Sequence, residues 1–150
     1  MKSLETKIPP PILAFIVILV MIWSNGGLHM PVWPLTAAAV LLWAAGIGMI
    51  AAAGREFRRA GTTPDPTNPD KASSILTTGI FGVTRNPMYV SLITVMLGLA
   101  FFLSSIWALA GPLVFALYIG RFQIEPEERV LAAKFGAEYE QYKTRVRRWL

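Results

Sequence analysis

Residues 77–89 read T-T-G-I-F-G-V-T-R-N-P-M-Y, and residues 125–142 read E-P-E-E-R-V-L-A-A-K-F-G-A-E-Y-E-Q-Y. The 34 residues of 87–120 between them carry no charged side chain. As a straight helix this insert would run about 51 Å at 1.5 Å per residue, against about 30 Å for one bilayer crossing. It is therefore expected to turn, and Ser104-Ser105 near its middle offers an N-cap. The reading is a helical hairpin, with helix 3 over 87–103 and helix 4 over 105–125. Pro112 is expected to kink helix 4. A hairpin returns both polar clusters to one membrane face, where together they can build a site.

The remainder of the chain fits this frame. Of 150 residues, 54% are hydrophobic and 15% charged, with a mean hydropathy of +0.50. An average soluble domain carries about 25% charged residues. Residues 8–54 contain no Asp, Glu, Lys or Arg. They are expected to hold two helices, 10–23 and 32–53, broken by S-N-G-G-L-H-M-P at 24–31. Trp23 and Trp33 flank that turn, at the headgroup level that amphipathic rings prefer. Lys2 and Lys7 before an apolar run also suit a signal peptide, but W-S-N-G-G follows rather than a small-x-small cleavage site. The segment 54–86 is a loop, with prolines too dense for a helix. From Pro126 to about 147, Leu131, Phe135, Tyr139, Tyr142, Val146 and Trp149 recur at helical spacing in a polar background. This predicts an amphipathic helix lying in the interface plane.

Basic residues gather near the start, on the 54–86 loop and from Arg121 onward, while the two hairpin turns carry none. The positive-inside rule puts both termini and the long loop in the cytoplasm, consistent with four crossings. The fold class expected is thus a single all-α integral membrane domain, residues 1–150: four transmembrane helices plus a C-terminal interfacial helix. The net charge of +5 flanks apolar blocks, so anionic lipid rather than nucleic acid is the partner expected. The chain has no cysteine and one histidine, His29, so thiolate and poly-histidine metal sites are not expected. No dinucleotide or Walker fingerprint is present.

Several residues carry chemical potential. Arg85 is a forked cation at the mouth of helix 3, suited either to a carboxylate or phosphate or to lipid headgroups. Asn86-Pro87 reads equally as N-cap and first helical residue. Glu127-Glu128 suits a helix N-terminus, and the same pair can hold a cation or act as a base. Counted against Leu131 and Phe135, Glu128 is expected to face the cleft under helices 3 and 4, with Glu127 turned towards solvent. Tyr89, Tyr139 and Tyr142 suit a sulfonium, a planar ring or an aromatic belt.

Taken together, these pieces resemble the isoprenylcysteine carboxyl methyltransferase and phospholipid methyltransferase family of integral membrane enzymes. The matching residues are Gly61-Thr62; Leu76, Gly79 and Phe81; Arg85-Asn86-Pro87-x-Tyr89; and Glu127-Glu128, Leu131, Phe135-Gly136, Tyr139 and Tyr142. The match runs from about Arg58 to Trp149. The resemblance implies an S-adenosylmethionine-dependent methyltransferase of the bacterial inner membrane, acting on a lipid-like or membrane-proximal carboxylate or amine. It implies cofactor contacts from Leu76, Gly79, Arg85, Asn86, Pro87, Tyr89, Glu128 and Tyr139. Arg85, Glu127 and Glu128 become candidate catalytic residues. Many members have His where this chain has Asn86, an amide that does not titrate near neutral pH. Two other readings stay open: a membrane reductase using NADPH, of the sterol-reductase type, and a non-enzymatic four-helix membrane protein.

Overall fold

The computed structural model describes residues 5–28, 31–61 and 74–150. His29, Thr62, Lys2, Lys71 and the proline-rich part of the 54–86 loop lie outside the described residues. Among the described residues every regular element is helical. They are α1 (Pro10–Ser24), α2 (Trp33–Arg59), α3 (Pro87–Phe102), α4 (Ala110–Ile119), α5 (Glu125–Phe135) and α6 (Ala137–Arg145). Short 3-10 turns span Gly79–Gly82 and Ile106–Leu109.

Small residues set the packing. A Cβ built at Gly98 would lie 2.6 Å from the Trp43 ring and 3.1 Å from the Ala39 carbonyl oxygen. One at Gly46 would lie 2.8 Å from Val95 and 3.1 Å from the Ser91 carbonyl oxygen. As numbers rise along α2, its contacts on α3 fall, so the two helices run antiparallel with their backbones close. The indole N–H of Trp43 donates to the Val95 carbonyl at 3.1 Å. On the other side of α3, Ala14, Met21, Met96, Leu99, Phe115 and Ile119 form the buried centre shared by α1, α3 and α4.

The bundle's two ends differ. Trp23, Trp33 and Trp107 are 82%, 80% and 85% exposed, and all three sit at the end holding the α1–α2 and α3–α4 turns. Between the ends, Phe15, Ile16 and Leu19 of α1, Leu41 and Ile47 of α2, and Leu113 and Leu117 of α4 are bare. Such an apolar surface suits lipid rather than water, and the tryptophans suit the headgroup level. Two helices are long and apolar enough to cross a bilayer: Trp33–Arg59 and the continuous run Ile106–Phe135. α1 and α3 are shorter apolar helices. The opposite end carries the charge, with Glu5 paired to Arg129 at 2.5 Å and Thr6 N–H bonded to the Phe122 carbonyl.

Four expectations need correction. α2 does not end at 53 but continues to Arg59, because Glu56 is buried and takes the Thr78 hydroxyl at 2.7 Å. Helix 4 does not end at 125, since a π-helical turn at Gly120–Ile124 carries it into α5 without a break. The C-terminal helix is two helices, split at Gly136 (φ 52, ψ −125), a conformation glycine adopts freely. Its apolar stripe is therefore not one continuous face: Tyr139, Tyr142 and Val146 pack back on Leu131, Ala132, Phe135 and Ile75. Finally, Pro112 falls in the first turn of α4, after a 3-10 segment, where the missing N–H interrupts no α-helical bond.

Gly98→Val is expected to destabilise the α2–α3 contact by about 1–3 kcal/mol through overpacking against Trp43. Gly48→Ala, with no atom within 4 Å of the added Cβ, should be neutral or slightly stabilising. Thermal unfolding in detergent checks both.

Candidate functional site

The charged end is built where the start of α3 meets α5 and the C-terminal tail. Asn86 occupies the N-cap position of α3, yet its side chain caps nothing. Instead its amide Nδ2 donates to the Arg148 carbonyl at 3.0 Å, and the Thr84 hydroxyl reaches the same carbonyl at 3.3 Å. The Arg85 N–H donates to the Arg147 carbonyl at 3.0 Å. α6 ends in extended backbone at Val146 (φ −123, ψ 130), so the last residues run as a strap across the mouth of α3. Trp149 seats beside Gly120 and joins the main core.

Glu128 lies at the centre. Arg148 grips it with both arms, Nη2 to Oε2 at 2.5 Å and Nε to Oε1 at 3.2 Å. From the other side Arg85 Nη1 comes to 3.0 Å of Oε1. That approach is out of line: Arg85 Nε and Nη1 are buried and have no hydrogen-bond partner among the described residues. The hydrogen bond to Glu128 raises the pKa of Arg148. Glu128 also lines a cleft of about 290 Å³ with Glu125, Arg129, Ala132 and Lys143. Burial pushes the Tyr139 hydroxyl up to about 12; Glu128 adds to the rise and Arg85 opposes it. Burial likewise raises Tyr142, whose hydroxyl donates to the Phe81 carbonyl at 2.6 Å and ties α6 to the Gly79–Gly82 turn.

Glu127 was expected to face solvent, and this is overturned. Its Oε1 accepts the Tyr89 hydroxyl at 2.7 Å and the Gln123 amide at 2.8 Å. The stripe used as its phase reference packs on α6, so it does not point at α3. Arg121 marks the end of the apolar part of the α4 run, and Glu127 lies about 9 Å further along the axis. Burial pushes its carboxyl up to about 7; the Tyr89 and Gln123 bonds pull down and Glu128 pushes up slightly.

The other expected site residues divide. Pro87 is fully buried as the first residue of α3, and Tyr89 is buried against Glu127. Leu76 is half-buried. Gly79 (φ 57) has its open side against Glu56, whose carboxyl would stand 2.7 Å from an added Cβ. Arg85, Glu128 and Tyr139 thus form one group, and Tyr89, Glu127 and Gln123 an adjoining one. Sequence reasoning missed Arg148, Gln123, Thr84 and Glu56. Gln123 had a signal, as an amide just past a long uncharged run; Arg148 had none beyond a basic tail.

A profile of phospholipid methyltransferases matches residues 35–138, from α2 into α6. An uncharacterized protein of Haemophilus influenzae is 46% identical over 63 residues, which is 42% of this chain and the whole of that protein. No solved structure matches at a significant level.

The sign of the Glu127 effect is fixed by its raised value, about 7 against an ordinary 4.5. Stability tied to its protonated form is complete below the ordinary value and is lost as pH rises through about 7. Thermal midpoints of the intact protein should therefore fall as pH rises from about 4.5 to about 7 and level off above that. Glu127→Gln should flatten that fall, and an unchanged slope would exclude Glu127 as the titrating group.

Proposed function

The chain belongs to the phospholipid methyltransferase family, and from that premise we propose that it transfers a methyl group from S-adenosylmethionine to a lipid-like or membrane-proximal amine or carboxylate. The observation that carries the cofactor reading is Arg85, whose buried Nε and Nη1 have no hydrogen-bond partner among the described residues. Buried guanidinium donors left in this state favour an anionic group, and a carboxylate matches the fork. Arg85, with the Tyr139 hydroxyl and Glu128 beside it, would hold the amino-acid end of the cofactor. When bound, S-adenosylmethionine supplies a methyl already activated on a sulfonium.

The chain's own residues then have modest tasks: to orient the acceptor and to keep water out. The acceptor's lone pair takes the methyl in line. A carboxylate acceptor needs no base. An amine acceptor sheds a proton, and Glu127, held near neutrality by burial, is the natural receiver beside Tyr89 and Gln123. A lipid-tailed acceptor would enter from the bilayer between helices. In this reading all four apolar helices cross a bacterial inner membrane, with both termini and the segment between α2 and α3 in the cytoplasm. The shortness of α1 and α3 is met by local thinning of the bilayer.

S-adenosylhomocysteine should raise the thermal midpoint of the detergent-solubilised protein, and NADPH should not; the reverse result would favour a reductase. Arg85→Ala should weaken S-adenosylhomocysteine binding by about 1.5–3 kcal/mol, the value of a charge-assisted hydrogen bond. Unchanged affinity in the folded variant would return Arg85 to a headgroup contact. The chain lacks cysteine, so Asp70→Cys is a unique label site. Labelling from outside intact cells by an impermeant thiol reagent would overturn the topology; labelling only after lysis is expected.

A further inference from the structure

Two nitrogens of the Arg85 guanidinium are buried beside an acid, and yet they make no aligned hydrogen bond to it. Its Nη1 stands 3.0 Å from Glu128 Oε1, and neither that nitrogen nor Nε has a hydrogen-bond partner among the described residues. A guanidinium and a carboxylate this close ordinarily close into a two-bond fork. Here the fork belongs to Arg148, whose Nε and Nη2 engage Oε1 and Oε2. One carboxylate presents one such edge, so the two arginines compete for it and Arg148 has it.

Arg148 is also firmly delivered. Its carbonyl takes the Asn86 amide and the Thr84 hydroxyl, the preceding carbonyl takes the Arg85 N–H, and the following Trp149 is seated in the core. Those anchors use main chain, so they hold the side chain at Glu128 whatever residue stands at 148.

We propose that Arg148 is a positioning residue: by occupying the fork edge of Glu128 it keeps Arg85 from closing on that acid and leaves the Arg85 donors poised for an anionic ligand group. This rests on the reading of Arg85 as the cation that binds the cofactor's carboxylate. The charges agree with it. Two guanidiniums and one carboxylate leave the group with one net positive charge, whereas Arg85 with Glu128 alone is neutral. Removing Arg148 therefore frees Glu128 to capture Arg85, and the captured guanidinium presents no net charge to an anion.

The test is a double-mutant cycle on the full chain in detergent, read as S-adenosylhomocysteine affinity by calorimetry, with helix content and ligand-free unfolding as folding controls. Arg148→Ala should weaken binding roughly tenfold or more. Arg148→Lys keeps the charge without the fork and should fall between; it carries the same test if the alanine variant fails to fold. In an Arg85→Ala background, adding Arg148→Ala should cost less than about twofold more, since the residue it serves is gone. Losses that add in the double variant would reveal a merely structural strap and overturn the proposal, as would wild-type affinity in folded Arg148→Ala. Absence of binding by the unmodified chain would instead overturn the cofactor reading, and this inference with it.

Discussion

The register of the hairpin between α3 and α4 controls the site. Arg85 and Glu128 stand on either side of a 34-residue stretch with no charge, and yet they meet at 3.0 Å. Such a stretch satisfies its own backbone most readily as helix, and its length forces one reversal. What fixes the register is steric. Gly98 admits the Trp43 ring on one side of the hairpin, and Gly111 admits Met21 on the other. A shift of either helix would drive a larger side chain into those contacts. The ion pair at the charged end is thus a consequence of backbone approach deep in the apolar region. This is the economical direction of cause, because in a mostly buried ion pair the loss of water by both charges offsets much of their attraction, leaving little to choose between registers.

Much of this was legible because hydrophobic blocks are read in lengths. The bounds of α1 and α3 fell within a residue of expectation, since proline opens both and a polar turn follows each. The errors came where charge was taken as the end of a helix. Residues 54–59 carry three arginines and a glutamate, and they nevertheless continue α2, because Glu56 finds a hydroxyl and an arginine rather than water. Likewise Arg121 and Glu125 lie on a helix that simply runs on. The stripe from Leu131 to Val146 was read correctly as apolar and wrongly as one face. Its steps of 4, 4, 3 and 4 are kept through Gly136, and a turn there folds the second half onto the first. Periodicity gives which residues are apolar together; it does not say what they cover.

The site residues show the same limit. Arg85, Glu128 and Tyr139 lie together at the charged end, and Asn86 and Glu127 have partners that spacing does not encode. Asn86 serves the tail, holding the Arg148 carbonyl, so an amide is well suited to the position: it donates at any pH. A histidine at the same point would do so only in one tautomer or when charged. Arg148 was invisible for a different reason. One arginine in a basic tail looks like any other until the chain's path brings it to an acid 20 residues back.

The two neighbouring glutamates meet different surroundings, and this follows from which side of α5 each faces. Glu128 meets two guanidiniums, and its charge is compensated in place. Glu127, one residue earlier, is turned towards α3, where neutral donors, Tyr89 and Gln123, cannot repay the loss of water, and its carboxyl rises to about 7. On the reading proposed above, a site that binds a sulfonium with a carboxylate tail and then handles a proton would use both kinds of acid within a few ångströms. In that reading Glu128 would fix the guanidiniums, and Glu127 would change charge near neutral pH. Consecutive residues on one helix deliver this without a second acidic element, because about 100° of helical rotation separates a guanidinium-lined surface from an apolar one. On that reading the acidic pair would be two functions set side by side rather than one function doubled.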